Sequence, residues 1–228
     1  MNKHNWMQAV LQENSHVSRW ISNAFHLLYY HASNTWQKNT FLGYPIGQCP
    51  FDMQVYQELI FQTRPSFISQ TGVAQGGSIL YFASLLDLMG AEADIPVIGI
   101  DIRLSDKALN INHPRVKLIE GDSTEPSVVD RVKSILRGRK GMVSLDSDHH
   151  KEHVLAEMKI YKSCVAIGSY LVVEDTNLNG HPVKPSFGPG PYEAVEEFIQ
   201  AEQNFLLDDV WKRNRISFHQ HGWLKRIG

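Results

Sequence analysis

Pro65-Ser-Phe-Ile-Ser-Gln-Thr-Gly-Val-Ala-Gln-Gly-Gly-Ser78, with the apolar run Ile79-Leu-Tyr-Phe-Ala-Ser-Leu-Leu86 behind it, falls into three parts. Ser66 to Thr71 has the length and composition of a buried strand. Gly72, Gly76 and Gly77 follow, and apolar residues then recur at helical spacing at Ile79, Leu80, Phe82, Ala83 and Leu86. Strand, glycine turn and helix open a mononucleotide-binding half-fold. Glycine lets the backbone turn tightly and approach a ligand with no Cβ in the way, and the first-turn N–H groups of the helix then face the crevice. The spacing is not G-x-G-x-x-G and no Lys-Ser/Thr ends the loop, so neither the dinucleotide fingerprint nor a P-loop fits. On these residues alone, a tight βα connection without a ligand is the rival reading.

The chain has 228 residues, enough for one large domain or one domain with an appendage. A hydrophobic content of 43% supports a substantial core, and a formal charge of −2 offers no basic field for nucleic acid. Two cysteines, Cys49 and Cys164, with no CxxC, argue against a disulfide scaffold. No apolar run approaches the roughly 20 residues of a membrane span, and Asn2, Lys3, His4, Asn5 and Gln8 do not form the apolar core of a secretory signal. The expectation is a reduced, cytoplasmic, enzyme-sized domain, with peripheral membrane contact left open.

Residues 3–31 read as mostly helical, with Trp6, Val10, Val17, Trp20, Ile21, Phe25 and Leu28 as the apolar set, serving as packing, a lid or a substrate wall. Thr35 to Pro50 reads as an ordered loop, and Asp52 to Gln62 as a helix leading into the first strand. The expected division is therefore residues 1–50 as a helical extension and 51–228 as the main domain. A second strand, Pro96 to Arg103, contains Asp101 at its end, where an ionised carboxylate can accept both hydroxyls of a ribose or else cap a turn. Val116 to Glu120 is a third strand. Asp122, Ser123 and Thr124 after it read either as contacts to an adenine edge or as the cap of a helix beginning near Pro126. Met142 to Asp146 and Ser169 to Asp175 are the fourth and fifth strands, and the spacing predicts two further strands at Arg215–His219 and Gly222–Ile227. Successive βα units followed by a β-rich closure make an α/β, doubly wound sheet.

Ligands of such sheets bind beyond the carboxyl ends of the strands. Asp101, Asp122, Asp146, Glu174 and Asp175 all stand at or just past such ends. If the fourth and fifth strands are neighbours, Asp146, Glu174 and Asp175 converge. Three carboxylates would repel unless a proton or a cation compensates. Oxygen-only ligands suit a hard divalent ion such as Mg²⁺. The rivals are zinc through His149 and His153, which share a helix face, and plain turn hydrogen bonding by Glu174 and Asp175.

Several strings taken together are specific. They are Gln70-Thr-Gly-Val-Ala-Gln-Gly-Gly-Ser78, Gly99-Ile-Asp-Ile-Arg103, Glu120-Gly-Asp-Ser-Thr124, Leu145-Asp-Ser-Asp-His149, Val173-Glu-Asp-Thr-Asn177 with Asn179-Gly-His-Pro182, and Gly188-Pro-Gly-Pro191. In this order the chain, from about Thr35 to Arg226, resembles the cephalosporin hydroxylase-like family, whose relatives include rhamnosyl O-methyltransferases. The resemblance implies a class I methyltransferase fold, a seven-stranded, mostly parallel Rossmann-like sheet that binds S-adenosylmethionine. It implies that Gln70, Thr71, Gly72, Gly76, Gly77 and Ser78 hold the methionine end, Asp101 with Arg103 the ribose, and Asp122 with Ser123 the adenine side. It implies a Mg²⁺ site at Asp146, Glu174 and Asp175, and a homo-oligomer. Gln70 departs from the pattern: relatives usually carry an acid there, and an amide can hydrogen-bond the cofactor's ammonium but cannot pair with it ionically.

The activity that follows is Mg²⁺-assisted methyl transfer to a vicinal-diol hydroxyl, as on a rhamnosyl-like sugar of a glycolipid, polysaccharide or secondary metabolite. His149 is the expected general base, with Lys151 or His150 as substitutes, and Asp146 also belongs to the catalytic set. The competing expectations are a hydroxylase acting on a β-lactam-like scaffold, which would need a redox cofactor, and a catalytically silent protein that keeps the fold.

Overall fold

The computed structural model describes residue 12 and residues 15–228. Helix α1, His16–His31, starts where the Ser15 side chain accepts the Ser18 N–H at 3.0 Å. The expected apolar positions Trp6 and Val10 lie outside the described residues. A small hairpin follows, β1 (Thr40–Phe41) with β2 (Tyr44–Pro45), and then α2, Pro50–Thr63, with Pro50 at its first position.

The doubly wound sheet is built from β3 (Ile68–Thr71), β4 (Val97–Asp101), β5 (Val116–Glu120), β6 (Met142–Leu145), β7 (Tyr170–Val173), β8 (Phe205–Leu207) and β9 (Trp223–Arg226). Their spatial order is β5-β4-β3-β6-β7-β9-β8, and only β9 runs antiparallel to its neighbours. The helices between them are α3 (Gly77–Leu88), the short α4 (Asp106–Leu109), α5 (Pro126–Leu136), α6 (Lys151–Tyr161) and α7 (Pro191–Ala201). None of the described helices is long and apolar enough to cross a membrane.

Two-residue alternation along the strands feeds two apolar layers. Ile98, Ile100, Val143, Leu145, Leu171 and Val173 pack against Val132, Leu155, Met158 and Val195 of α5, α6 and α7. Ile68, Val97, Met142, Tyr170, Val172 and Trp223 pack against Tyr56, Leu59, Ile79 and Phe82 of α2 and α3. Both cysteines are buried free thiols.

The register positions the site. Thr71 lies opposite Ile100 on one side and Leu145 on the other, and Leu145 lies opposite Val173. The ladder runs one residue further, through Gly72 N–H to Ile100 O at 2.7 Å, Asp146 N–H to Thr71 O at 2.9 Å and Glu174 N–H to Leu145 O at 2.9 Å. Gly72, Asp146 and Glu174 therefore leave the sheet at one level. The chain winds outward from β3 through β4 to β5 and then returns to the other side of β3 as β6, so the switch point of the topology lies between β3 and β6.

Two sequence expectations are corrected. Arg215–His219 is not a strand; the edge strand is Phe205–Leu207. Ile216, Ser217, Phe218 and His219 are buried, but their backbone is satisfied elsewhere. Phe218 N–H donates to Asp52 Oδ2 at 2.7 Å, His219 N–H to Ser217 Oγ at 2.9 Å, and Phe218 O accepts Asn177 N–H at 3.1 Å. A buried carboxylate thus takes the place of a ladder partner. Neither Ser123 nor Thr124 caps the helix at Pro126, because Glu125 is its N-cap residue. Asp122 Oδ1 instead accepts both the N–H and the hydroxyl of Thr124, at 2.8 and 2.7 Å, in a local turn.

Helix α1 docks through His26, which is fully buried and stacks on Phe218 with ring centroids 5.2 Å apart. Burial, and then the neighbouring His219, lower its pKa from 6.5 to about 4. The folded state therefore holds His26 neutral while the unfolded chain protonates it. Stability is complete above pH 6.5 and falls as the pH drops towards 4, by about 3 kcal/mol for this group. Urea unfolding of His26→Gln between those pH values is expected to show a shallower acid-side loss of stability than the parent.

Candidate active site

A cavity of about 750 Å³ opens over the switch point, a size typical of small-molecule sites. Of the residues singled out from sequence, Gln70, Gly72, Ser78, Asp101, Asp122, Ser123, Asp146, His149 and Asp175 line it. Thr71, Gly76, Gly77, Arg103, Lys151 and Glu174 are not among its lining residues. Lys151 Nζ instead pairs with Glu197 Oε2 at 2.8 Å.

Gly72 has φ +78°, and a Cβ there would land on the carbonyl of Asp146. Gly76 caps α3 at φ +86°, and a Cβ on Gly77 would strike the backbone of Pro45 and Ile46, which covers the start of the helix. The turn between them is held by Asp101. Its Oδ2 accepts the N–H groups of Val73 and Ala74 at 2.7 and 3.0 Å, and its Oδ1 accepts Arg103 N–H at 3.0 Å. Asp101 therefore organises the glycine turn, while Oδ1 keeps acceptor capacity for a ligand hydroxyl.

Gln70 is buried beside this turn. Its Nε2 donates to Gly72 O at 2.7 Å and lies 3.5 Å from Asp146 Oδ2, while its Oε1 has no hydrogen-bond partner. A buried amide oxygen without a partner, on a residue that lines the cavity, calls for a donor. The N–H groups of an amino-acid ammonium fit it, so the residues suit the methionine end of S-adenosylmethionine.

Asp146, His149 and Asp175 converge, with one ligand atom from each lying within 4.8 Å of the others. His149 Nε2 stands 3.4 Å from Asp175 Oδ2. Asp175 adopts φ +54°, a left-handed conformation that disfavours a side chain by roughly 1–2 kcal/mol. Its N–H is pinned to His219 Nδ1 at 3.0 Å. That bond leaves the proton of a neutral His219 on Nε2, which lies 3.3 Å from Glu174 Oε2 and 3.8 Å from Asp52 Oδ2.

Glu174 faces the other way and is surrounded by donors. Tyr56 OH and Ser144 Oγ each donate to its Oε1 at 2.6 Å, and Gln48 Nε2 donates to its Oε2. Burial first, and then the charges of Glu174 and Asp175, hold the Asp146 carboxyl well above the usual carboxylate range. No Lys or Arg is among the lining residues described. Converging acids without a cationic side chain suit a hard divalent cation.

At Asp122 and Ser123 the floor of the cavity is polar. The fully buried Glu157 accepts Ser123 Oγ at 2.5 Å and Ser147 Oγ at 2.7 Å through Oε1, and His153 Nε2 lies 3.4 Å from the same oxygen. Tyr161 OH donates to Ser123 O at 2.7 Å. His149 and His153 thus serve different partners, Asp175 and Glu157, and do not form the pair that the zinc reading requires. Sequence reading missed Gln48, Asp52, Tyr56, Glu157 and His219. The available signal was weak: polar residues at i, i+4 inside helices otherwise read as apolar-faced, Asp52 with Tyr56 and His153 with Glu157.

The strand order β5-β4-β3-β6-β7-β9-β8 with β9 alone antiparallel, and a cavity at the switch point beside the glycine turn, give the class I methyltransferase fold shared with the solved structures it matches. CmcI with Mg and SAM superimposes with a TM-score of 0.64 at 24% identity, covering 84% of this chain and 78% of that one. The methyltransferase MycE from the mycinamycin biosynthetic pathway, in complex with Mg, SAH and mycinamycin VI, gives 0.57 at 15% identity, covering 100% of this chain and 63% of that one. Among curated proteins, rhamnosyl O-methyltransferase of Mycobacterium tuberculosis strain H37Rv is 36% identical over 208 residues, covering 89% of this chain and 81% of the relative. That of Mycobacterium leprae is 35% identical over 200 residues, covering 87% and 86%. The rhamnosyl O-methyltransferase/CmcI family profile matches residues 33–227. The chain belongs to this family and is an S-adenosylmethionine-dependent O-methyltransferase.

Gly72→Ala combines a disfavoured φ with a collision against Asp146 and is expected to destabilise by about 2–4 kcal/mol. Gly168 has φ +83° and nothing within 4 Å of an added Cβ, so Gly168→Ala is expected to lose only about 1 kcal/mol. The difference between their urea midpoints measures the close approach of β3 to β6.

Proposed function

We propose that the chain methylates one hydroxyl of a vicinal diol, on a rhamnosyl-like sugar or a similarly hydroxylated metabolite, with the aid of Mg²⁺. The observation that carries this reading is the convergence of Asp146, His149 and Asp175 in the same cavity as the glycine turn and the unpartnered Gln70 Oε1. In this reading Gln70, Gly72 and Ser78 hold the methionine end of the donor. Asp101 takes the ribose hydroxyls, and Asp122 with Ser123 meets the adenine. Asp146 and Asp175, together with Glu174, would hold the metal.

When bound, the donor supplies an electrophilic sulfonium methyl and the divalent cation lowers the pKa of the acceptor hydroxyl. His149 is the general base of this reading: its Nε2 stands 3.4 Å from Asp175 Oδ2, so the ring would take the hydroxyl proton on Nδ1 while Asp175 stabilises the imidazolium from the Nε2 side. The new C–O bond forms as the S–C bond breaks, and S-adenosylhomocysteine leaves. Trp36, Gln37 and the run Pro45 to Gln48 wall the cavity, which supports a substrate-facing role for residues 1–50. Helix α1 leaves Trp20 71% and Leu28 68% exposed, which supports an oligomer contact there.

The test is transfer from labelled S-adenosylmethionine to a rhamnoside acceptor. A methyl ether is expected with Mg²⁺ and none after chelation. Asp146→Asn and Asp175→Asn are expected to lose at least about 100-fold in rate. His149→Gln is expected to lose about 10²–10⁴-fold in kcat with little change in donor KM. Absence of transfer to every diol acceptor, with and without Mg²⁺, would refute the reading.

A further inference from the structure

Gln48 is the one described side chain seen to donate to two of the strand-end carboxylates at once. Its Nε2 reaches Asp146 Oδ2 at 3.3 Å and, more closely, Glu174 Oε2, and the residue is only 7% exposed. The NH₂ end of the amide faces the two carboxylate oxygens, donors against acceptors. Those protons carry partial positive charge and lie between the acids that end β6 and β7.

Gln48 also closes the segment that walls the cavity. Asn39 Nδ2 donates to Gln48 O at 2.9 Å, Ile46 N–H donates to Asn39 O at 3.0 Å, and Trp36 Nε1 donates to Tyr30 O at 2.9 Å. The backbone of Pro45 and Ile46 rests on Gly77 at the start of α3. On the other side of Gln48, Cys49 caps α2.

We propose that Gln48 is an internal competitor of the metal: its amide bridges Asp146 and Glu174, and a divalent cation entering between them displaces it. The NH₂ group and a dication seek the same oxygen lone pairs, so both cannot be accommodated at once. Gln48 then sets metal affinity and links metal occupancy to the Trp36–Gln48 wall. It is a positioning residue, acting through the carboxylates and not on the acceptor. The inference rests on the metal reading given above.

The test measures metal binding directly, by calorimetry with Mg²⁺ and by Mn²⁺ electron paramagnetic resonance, on the full chain without donor or acceptor. Gln48→Met keeps the volume and removes the donors, and Gln48→Asn keeps an amide too short to bridge. Both are expected to bind the metal about tenfold more tightly, since hydrogen bonds to charged groups of this strength no longer compete. Hydrogen exchange supplies the second readout. In the parent, Mg²⁺ is expected to speed amide exchange across residues 36–48, while in Gln48→Met exchange there is fast from the start and unaffected by Mg²⁺. Equal affinity in the folded variants sinks the competitor role alone. Weaker affinity also overturns it, by showing that Gln48 turns its oxygen to the ion. A parent that binds no divalent cation removes the metal reading and this inference with it.

Discussion

At the crevice between β3 and β6, the carbonyl of Asp146 occupies the space that a side chain on residue 72 would need. That contact is possible only with glycine, and the rest of the site hangs on it. It brings the turn that starts α3 and the first acid of β6 together at one level of the sheet. Parallel register carries the same level across to Glu174 and Asp175. Asp101, from β4, then fixes the turn by accepting two of its N–H groups. A donor-binding loop and a cluster of acids thus become neighbours through backbone geometry, before any side chain chooses a partner.

The acids would not remain together without help. Burial and mutual repulsion raise the Asp146 carboxyl, and no lining Lys or Arg offsets the charge. The fold answers with neutral donors: the Gln48 amide and the Tyr56 and Ser144 hydroxyls. Neutral donors hold carboxylates in place while leaving their charge largely intact. Such a shell maintains the negative field that a divalent cation requires, whereas a lysine or arginine would cancel it. Glu174, with donors on both oxygens, is the rigid member of the set, and Asp146 and Asp175 present the face towards the cavity.

Much of this shell comes from outside the central βα units. Asp52 and Tyr56 lie on α2, Gln48 just before it, and His219 in the loop that precedes β9. The segment Arg215–His219 is buried without a break from Ile216 to His219, as a central strand would be, but it spends its backbone on Asp52 and its imidazole on Glu174 and Asp175. The departure from regular structure there is what delivers His219 beneath the acids. Likewise α6 turns Glu157 inward among apolar neighbours, so that Ser123 and Ser147 are held at the cavity floor.

The parallel strands β3 to β7 with their helices, the glycine turn and the acids at strand ends were legible in the sequence because each depends on local rules. Buried strands read as short apolar runs, and the turn after β3 needs glycine whatever surrounds it. The adjacent pair Glu174-Asp175 was legible as a site, but not the division of labour between its members. That division arises because Asp175 adopts φ +54° with its N–H on His219, 44 positions away. Gln48, 98 positions from Asp146 and 126 from Glu174, carries no local pattern at all. Local chemistry fixes which residues can end a strand or turn a loop, whereas the partner of a buried polar group is whichever distant segment packing brings within hydrogen-bond reach, and only the tertiary structure decides that.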